Sequence, residues 1–238
     1  MPGDDRPTLE LDARLPAPPT DLRPMLARPS DHLPIGADRL ADPTWGGLRV
    51  MARLDGRSVG LLTDDHDVAR RFPDIAAGLA ALDLASTVLD GEIVVPGARS
   101  RVLAGAIRRG HGAIGPATLV ISDLPWTAGR SLLATSLDQR RERLAGLGVA
   151  GLGLVVLQPA VGSQGVAEAV VLRGLLGIIL KRADSPYLSG VRSRLWTLVR
   201  VADLGRRPPA EGTTAGGQPD GRTDIALLRT LALVEDGR

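Results

Sequence analysis

The 238-residue chain has no cysteine, and only one of its 29 basic residues, Lys181, is a lysine. Without thiols it can build no disulfide framework, no thiolate nucleophile and no zinc finger. Aromatic residues are scarce at 2%, so Leu, Val, Ile and Ala must fill the core. Long apolar runs are missing as well. The richest, from Val166 to Leu180, is interrupted by Glu168 and Arg173 and falls short of a membrane span. The amino terminus, MPGDDRPTLELD, is acidic and proline-bearing and has no apolar stretch of the kind a signal peptide needs. These absences lead us to expect a soluble cytoplasmic protein with no membrane partner.

The length suits one good-sized domain with tails, and an apolar content of 44% suffices for a packed core. Formal net charge is only +2, yet the isoelectric point is about 9.8 because the positive charge is almost all arginine. A planar guanidinium donates two parallel hydrogen bonds to a phosphate, so the composition is compatible with nucleotide or nucleic acid.

Residues 1–22, with five prolines and several charges, read as a mobile arm. A proline-punctuated extended stretch follows at Arg23–Pro34. Leu48–Leu54 alternates as a half-buried strand, Asp55-Gly56 is a two-residue hairpin turn, and Ser58–Thr63 is the return strand. A helix is predicted from Pro73, with Ile75, Leu79 and Leu82 on one face. Further strands are predicted at Val88–Val95, Thr118–Ser122, Leu152–Leu157, Gly177–Lys181 and Leu195–Val201. Further helices are predicted at Val102–Arg109, Leu137–Leu147 and Gln164–Arg173. The elements mix without strict strand–helix alternation, which predicts an α+β fold with largely antiparallel sheets flanked by helices. The domain is expected to span 23–204, followed by a Gly/Pro/Thr-rich linker at 205–222 and a short helix or tail at 223–238.

Several motifs invite sharper readings that fail on context. Gly146–Gly151 satisfies Gly-x-Gly-x-x-Gly, but it follows a helix and leads into a strand, the reverse of a dinucleotide site. Asp64, Asp65, His66 and Asp67 are metal-ligand types, but four successive residues rarely converge on one ion, so a solvated turn is expected. His32 and His111 have no acid or nucleophile apparent near them, and no metal site is expected.

Taken together, DPTWGGLRVMAR at Asp42–Arg53, LDGEIVV at Leu89–Val95 and GIILKRADSPYLSGVRSRLWTLVR at Gly177–Arg200 resemble the adenylation core of ATP-dependent DNA ligases, particularly the bacterial repair type. The resemblance runs from about Arg23 to Val201. It implies a nucleotidyltransferase (ATP-grasp-like) fold, ATP and Mg²⁺ as cofactors, and DNA or a DNA-repair protein as partner. Asp90, Gly91 and Glu92 match Leu-Asp-Gly-Glu. Arg140 and Arg141 match a pair of helical arginines. Ser185-Pro186-Tyr187, Gly190, Arg192, Ser193 and Trp196 match the last hairpin.

The family's first segment reads Glu-x-Lys-Trp-Asp-Gly-x-Arg, and its lysine attacks the α-phosphate of ATP. Here Thr44 holds the lysine position and Gly46 the aspartate position. A threonine hydroxyl holds its proton too tightly without an adjacent base, and this segment offers none. Losing a nucleophile that works within a unit lowers rate by about 10⁴ to 10⁶. Asp64, Asp65 and His66 stand at an Arg-Asn-Gly turn, Ser122 where an aromatic stacks on adenine, Leu176 at a metal-directed glutamate and Leu198 at a lysine. By resemblance, Arg49, Glu92, Lys181 and Arg200 are expected as remnants of the nucleotide site. Arg140, Arg141, Arg192 and Arg194 are expected as contacts to DNA backbone. No catalytic residue is assigned. Only some 38 residues follow Arg200, too few for the OB-fold barrel that closes such enzymes.

The sequence thus predicts an inactive ligase-like module retained for nucleotide binding, DNA binding or scaffolding in DNA repair. The alternative is a minimal ATP-dependent DNA ligase or nucleotidyltransferase that joins nicks through an unrecognised nucleophile.

Overall fold

The computed structural model describes residues 15–34, 38–63, 66–110, 112–158, 160–161 and 164–204. The expected linker and carboxy-terminal helix lie outside them, as do residues 1–14 of the expected arm. Residues 15–22 run along the molecule, with Pro18 and Leu22 buried and the Pro18 carbonyl accepting a 3.0 Å hydrogen bond from Arg53.

The chain first forms β1 (Leu26–Ser30) and β2 (Arg39–Thr44), then the hairpin of β3 (Leu48–Gly56) and β4 (Ser58–Leu62). Asp55 pairs with Ser58, so the two turn residues are Gly56 and Arg57, one position later than expected. Gly56 takes a φ of 60°, a conformation that costs glycine nothing. α1 (Pro73–Ala81) carries Pro73 in its first turn, where no amide donor is missed, and buries Ile75 and Leu79. Then come β5 (Leu84–Val94), α2 (Ser100–Arg109), β6 (Thr118–Thr127), β7 (Arg130–Ser131), α3 (Leu137–Gly146), β8 (Leu154–Val156), β9 (Ala160–Val161), α4 (Gln164–Leu172), β10 (Gly177–Arg182), β11 (Arg192–Arg200) and α5 (Val201–Leu204).

Two sheets result. One has five strands in the order β1-β11-β10-β2-β9. The other runs β4-β3-β5-β6-β7, with β8 also paired to β6. All pairings are antiparallel except β1–β11 and β6–β8. The Gly146–Gly151 stretch is the stop after α3 and the approach to β8, as its order predicted.

Aliphatic residues fill one core, where Leu54, Leu61, Ile75, Leu79, Leu89, Leu103, Ile121 and Leu144 meet beneath α1, α2 and α3. A second groups Val94, Val120 and Val155 with Val166, Val170 and Ile178. The third uses the few aromatics: Tyr187 meets Trp196 edge-on, with ring centroids 5.9 Å apart, beside Met25, Met51 and Val88.

Charge is buried along with this apolar material. On α3 the inward stripe is Leu137, Arg140, Arg141 and Leu144, a helical spacing that puts both arginines inside. Arg140 grips Asp123 with two hydrogen bonds of 2.7 and 2.9 Å, and both side chains are fully buried. Arg141 pairs with Asp42 and donates to the Leu157 carbonyl at 2.9 Å. Arg140 and Arg141 are therefore not the DNA-backbone contacts expected from the sequence, because their guanidinium groups point into the protein. Removing one partner of such a pair strands a buried charge. Arg140→Ala is expected to lose about 3–5 kcal/mol of unfolding free energy in urea titrations. The double change Arg140→Met with Asp123→Leu should lose less than the single one.

Candidate functional site

A narrow cleft opens between the sheets where β2 turns toward β3. The five-stranded sheet contributes Asp42, Ile179 and Lys181, the other sheet contributes Arg49, Glu92 and Ser122, and Trp45 comes from the connection between β2 and β3. Three of the four expected nucleotide-site residues thus come together. The fourth, Arg200, is exposed at the end of β11 and is not among the lining residues.

Thr44, at the end of β2, is buried, and its hydroxyl donates to Glu92 Oε2 at 3.0 Å. Sequence proximity gave that hydroxyl no base, but the neighbouring sheet supplies a carboxylate. The other Glu92 oxygen accepts the Gly47 amide, a contact made possible because Gly47 has no side chain. A Cβ there would lie 2.2 Å from the Ile93 carbonyl oxygen. Burial pushes the Glu92 carboxyl above the ordinary glutamate range despite these hydrogen bonds and nearby Arg49.

Arg49 is committed elsewhere. It forms a two-pronged contact with Asp90, both distances 2.5 Å, and Asp90 also accepts the Tyr187 hydroxyl at 2.7 Å. Burial alone would lower the guanidinium pKa, but Asp90 outweighs it and holds Arg49 protonated beyond its usual range.

Lys181 is similarly engaged. Its ammonium lies 2.7 Å from Asp42 Oδ2 and 4.2 Å from the centroid of the Trp196 ring, and it donates weakly to Ser122 at 3.4 Å. Burial lowers its pKa, and Asp42 offsets this only in part. For Asp42, burial raises the carboxyl, but Arg141 and Lys181 together hold it below the usual carboxylate value. Asp42 and Trp45 are the residues that sequence reasoning passed over. The available signal was position: Asp42 stands where the family's segment begins with glutamate.

A Cβ on Gly46 would sit 3.0 Å from Leu176 Cδ2, so Leu176, at the position of the family's metal-directed glutamate, packs beside the position of the family's aspartate. Among the described residues no group of three or more His, Asp or Glu side chains is arranged to hold a metal ion. The Asp67 carboxylate accepts the Leu61 and Ala69 amides, while Asp64 and Asp65 lie outside the described residues.

His32, expected to stand apart, does have an acid nearby, with its Nδ1 2.9 Å from Asp31 and 3.5 Å from Ser30 Oγ. Both neighbours meet the same ring nitrogen, whereas a proton relay needs them on opposite nitrogens.

The cleft itself has a volume of about 20 Å³. A single water needs about 10–15 Å³, whereas small-molecule sites typically occupy about 300–1,000 Å³. Among the described residues no helix is long and apolar enough to cross a membrane.

Comparison with known proteins gives a consistent result. The model of the ATP-dependent DNA ligase domain matches residues 24–199. DNA ligase C1 of Mycolicibacterium smegmatis is 32% identical over 194 residues, covering 72% of this chain and 54% of that protein. The multifunctional non-homologous end joining protein LigD of Pseudomonas aeruginosa is 34% identical over 159 residues, covering 63% of this chain and 18% of its own length. A solved mycobacterial DNA ligase D, complexed with ATP and MES, superposes with a TM-score of 0.62 at 29% identity, covering 75% of this chain and 60% of that one. The chain thus spans about half or less of the length of these two curated relatives.

The cleft's charges set opposite pH dependences. A depressed Asp42 pKa contributes stability that is present above the unfolded value and is lost as pH falls through the folded one. A raised Glu92 pKa contributes stability that is present below the unfolded value and is lost as pH rises through the folded one. Asp42→Asn is expected to destabilise the protein at pH 7 by about 3–5 kcal/mol and to flatten the acid limb below about pH 4. Glu92→Gln is expected to stabilise the protein at pH 7 relative to pH 4. Urea unfolding across that range checks both signs.

Proposed function

The chain belongs to the ATP-dependent DNA ligase family, and from that premise we propose that it is a member that no longer adenylates itself. In this reading it persists as a module that contacts DNA backbone. The observation that carries the proposal is Thr44 at the lysine position, buried and hydrogen-bonded to Glu92. Phosphoramidate formation needs an amine that can lose its proton beside the α-phosphate. The chain's one lysine is instead locked between Asp42 and Trp196.

Exposed arginines support the DNA half of the reading. Arg192, Arg194 and Arg200 project from β11. Contacts of this kind to phosphate position a protein without reading sequence. The names of the LigD relatives, which specify non-homologous end joining, support a setting in DNA repair.

One observation favours a second reading. Glu92 lies in place to take a proton from the Thr44 hydroxyl. Attack by that oxygen on the α-phosphorus of ATP would release pyrophosphate and leave an O-linked adenylate. Incubation with α-labelled ATP and Mg²⁺, followed by a denaturing gel, separates the two readings. The expected result is no retained label on the wild type. Label that disappears with Thr44→Val would establish the oxygen nucleophile, and label that disappears with Lys181→Ala would make that lysine the nucleophile. Either result overturns the proposal.

A further inference from the structure

From 96 to 115 the chain holds four arginines, a histidine and no acidic residue. The described part of this stretch is the approach to α2, the helix itself and the residues beyond it. α2 sits on the outer side of the second sheet, with Leu103 and Ile107 in the core. These two, spaced four apart, define its inner face. Arg101 and Arg108, spaced seven apart, share the outer side with Arg109, and all three are exposed. Arg109 folds back along the helix, so that its guanidinium lies over Gly105, where a Cβ would approach it to 3.0 Å. Among the described residues, none of the three is ion-paired with a carboxylate.

The helix is anchored at both ends. Arg71 donates to the Ala106 and Ile107 carbonyls at 3.3 and 3.4 Å, satisfying acceptors in the last turn. At the other end, Arg99 donates to the Trp45 carbonyl at 3.1 Å and the Gly174 carbonyl at 3.3 Å. The Ser100 amide donates to the Gly46 carbonyl at 2.7 Å. α2 is therefore fixed against the connection between β2 and β3, directly after Thr44. Its basic face is held in a set orientation beside the cleft.

A face that carries several exposed guanidinium groups and no carboxylate has a positive potential that attracts a polyanion. We infer that the outer face of α2 is a nucleic-acid contact surface, with Arg101, Arg108 and Arg109 lying along the phosphate backbone of a duplex. This extends the DNA-binding reading above from β11 to a second surface and rests on it. Arg101, Arg108 and Arg109 of α2, rather than the buried Arg140 and Arg141 of α3, then meet the backbone.

Fluorescence anisotropy with a labelled blunt duplex, titrated across salt concentrations, tests the assignment. The triple change Arg101→Ala, Arg108→Ala and Arg109→Ala should reduce the slope of log K against log salt by about 0.9 for each phosphate contact removed. The corresponding triple lysine variant keeps the charge and should retain most of the slope. A pair on the other surface, Arg192→Ala with Arg194→Ala, serves as comparison. If the wild type binds and only the β11 variant loses affinity, the α2 surface is wrong and the earlier reading stands. If the wild type fails to bind duplex even at low salt, both fail. Binding of the wild type to phosphatidylserine vesicles but not to duplex would assign the face to lipid and overturn the inference.

Discussion

Three aspartates buried where the sheets meet set the terms for the rest of this molecule. Asp42, Asp90 and Asp123 are all almost fully inaccessible to water. Each is answered by a cation from elsewhere in the chain: Lys181 and Arg141 for Asp42, Arg49 for Asp90, and Arg140 for Asp123. An unpaired ion in such a place would cost several kcal/mol, so β2, β5 and β6 cannot be packed without β3, β10 and α3 in register. Tyr187 and Trp196 complete the arrangement, the first donating to Asp90 and the second lying under the Lys181 ammonium.

The same pairings support the proposal that the cleft keeps the frame of a nucleotide site without serving a nucleotide. Its cations already have internal counter-ions, its carboxylate Glu92 accepts from Thr44 and Gly47, and Leu176 packs where an acid would be needed. In the proposed reading a triphosphate competes with Asp42 for Lys181 and with Asp90 for Arg49, so the pairings that stabilise the fold work against nucleotide affinity.

Much of the framework was legible from local chemistry. Asp55-Gly56 marked a hairpin, Pro73 marked a helix start, and the apolar spacing of α1 identified its inner face. The turn was placed one residue early because Asp-Gly fits two adjacent registers, and only the Asp55–Ser58 pairing distinguishes them. β1 and β2 were not foreseen as strands, since Pro29 and Pro43 interrupt their alternation and their partners lie far along the chain. The misjudged arginines on α3 carry a more general point. Leu137, Arg140, Arg141 and Leu144 share one helical stripe, and two leucines flanking a charge at that spacing imply burial. What no local pattern reveals is the partner, because Asp123 and Asp42 come from other strands. Likewise, Glu92 and Thr44 are 48 residues apart and meet only through the pairing of β3 with β5.

Thermal unfolding of the full chain titrated with ATP and Mg²⁺ tests the central claim most directly. A ligand that binds only the folded state raises the midpoint in proportion to the logarithm of its concentration above its Kd. If the buried aspartates keep the cleft's cations to themselves, the midpoint stays constant through millimolar ATP. A midpoint that climbs steadily with ATP, and no longer does so in Lys181→Ala, would contradict the account.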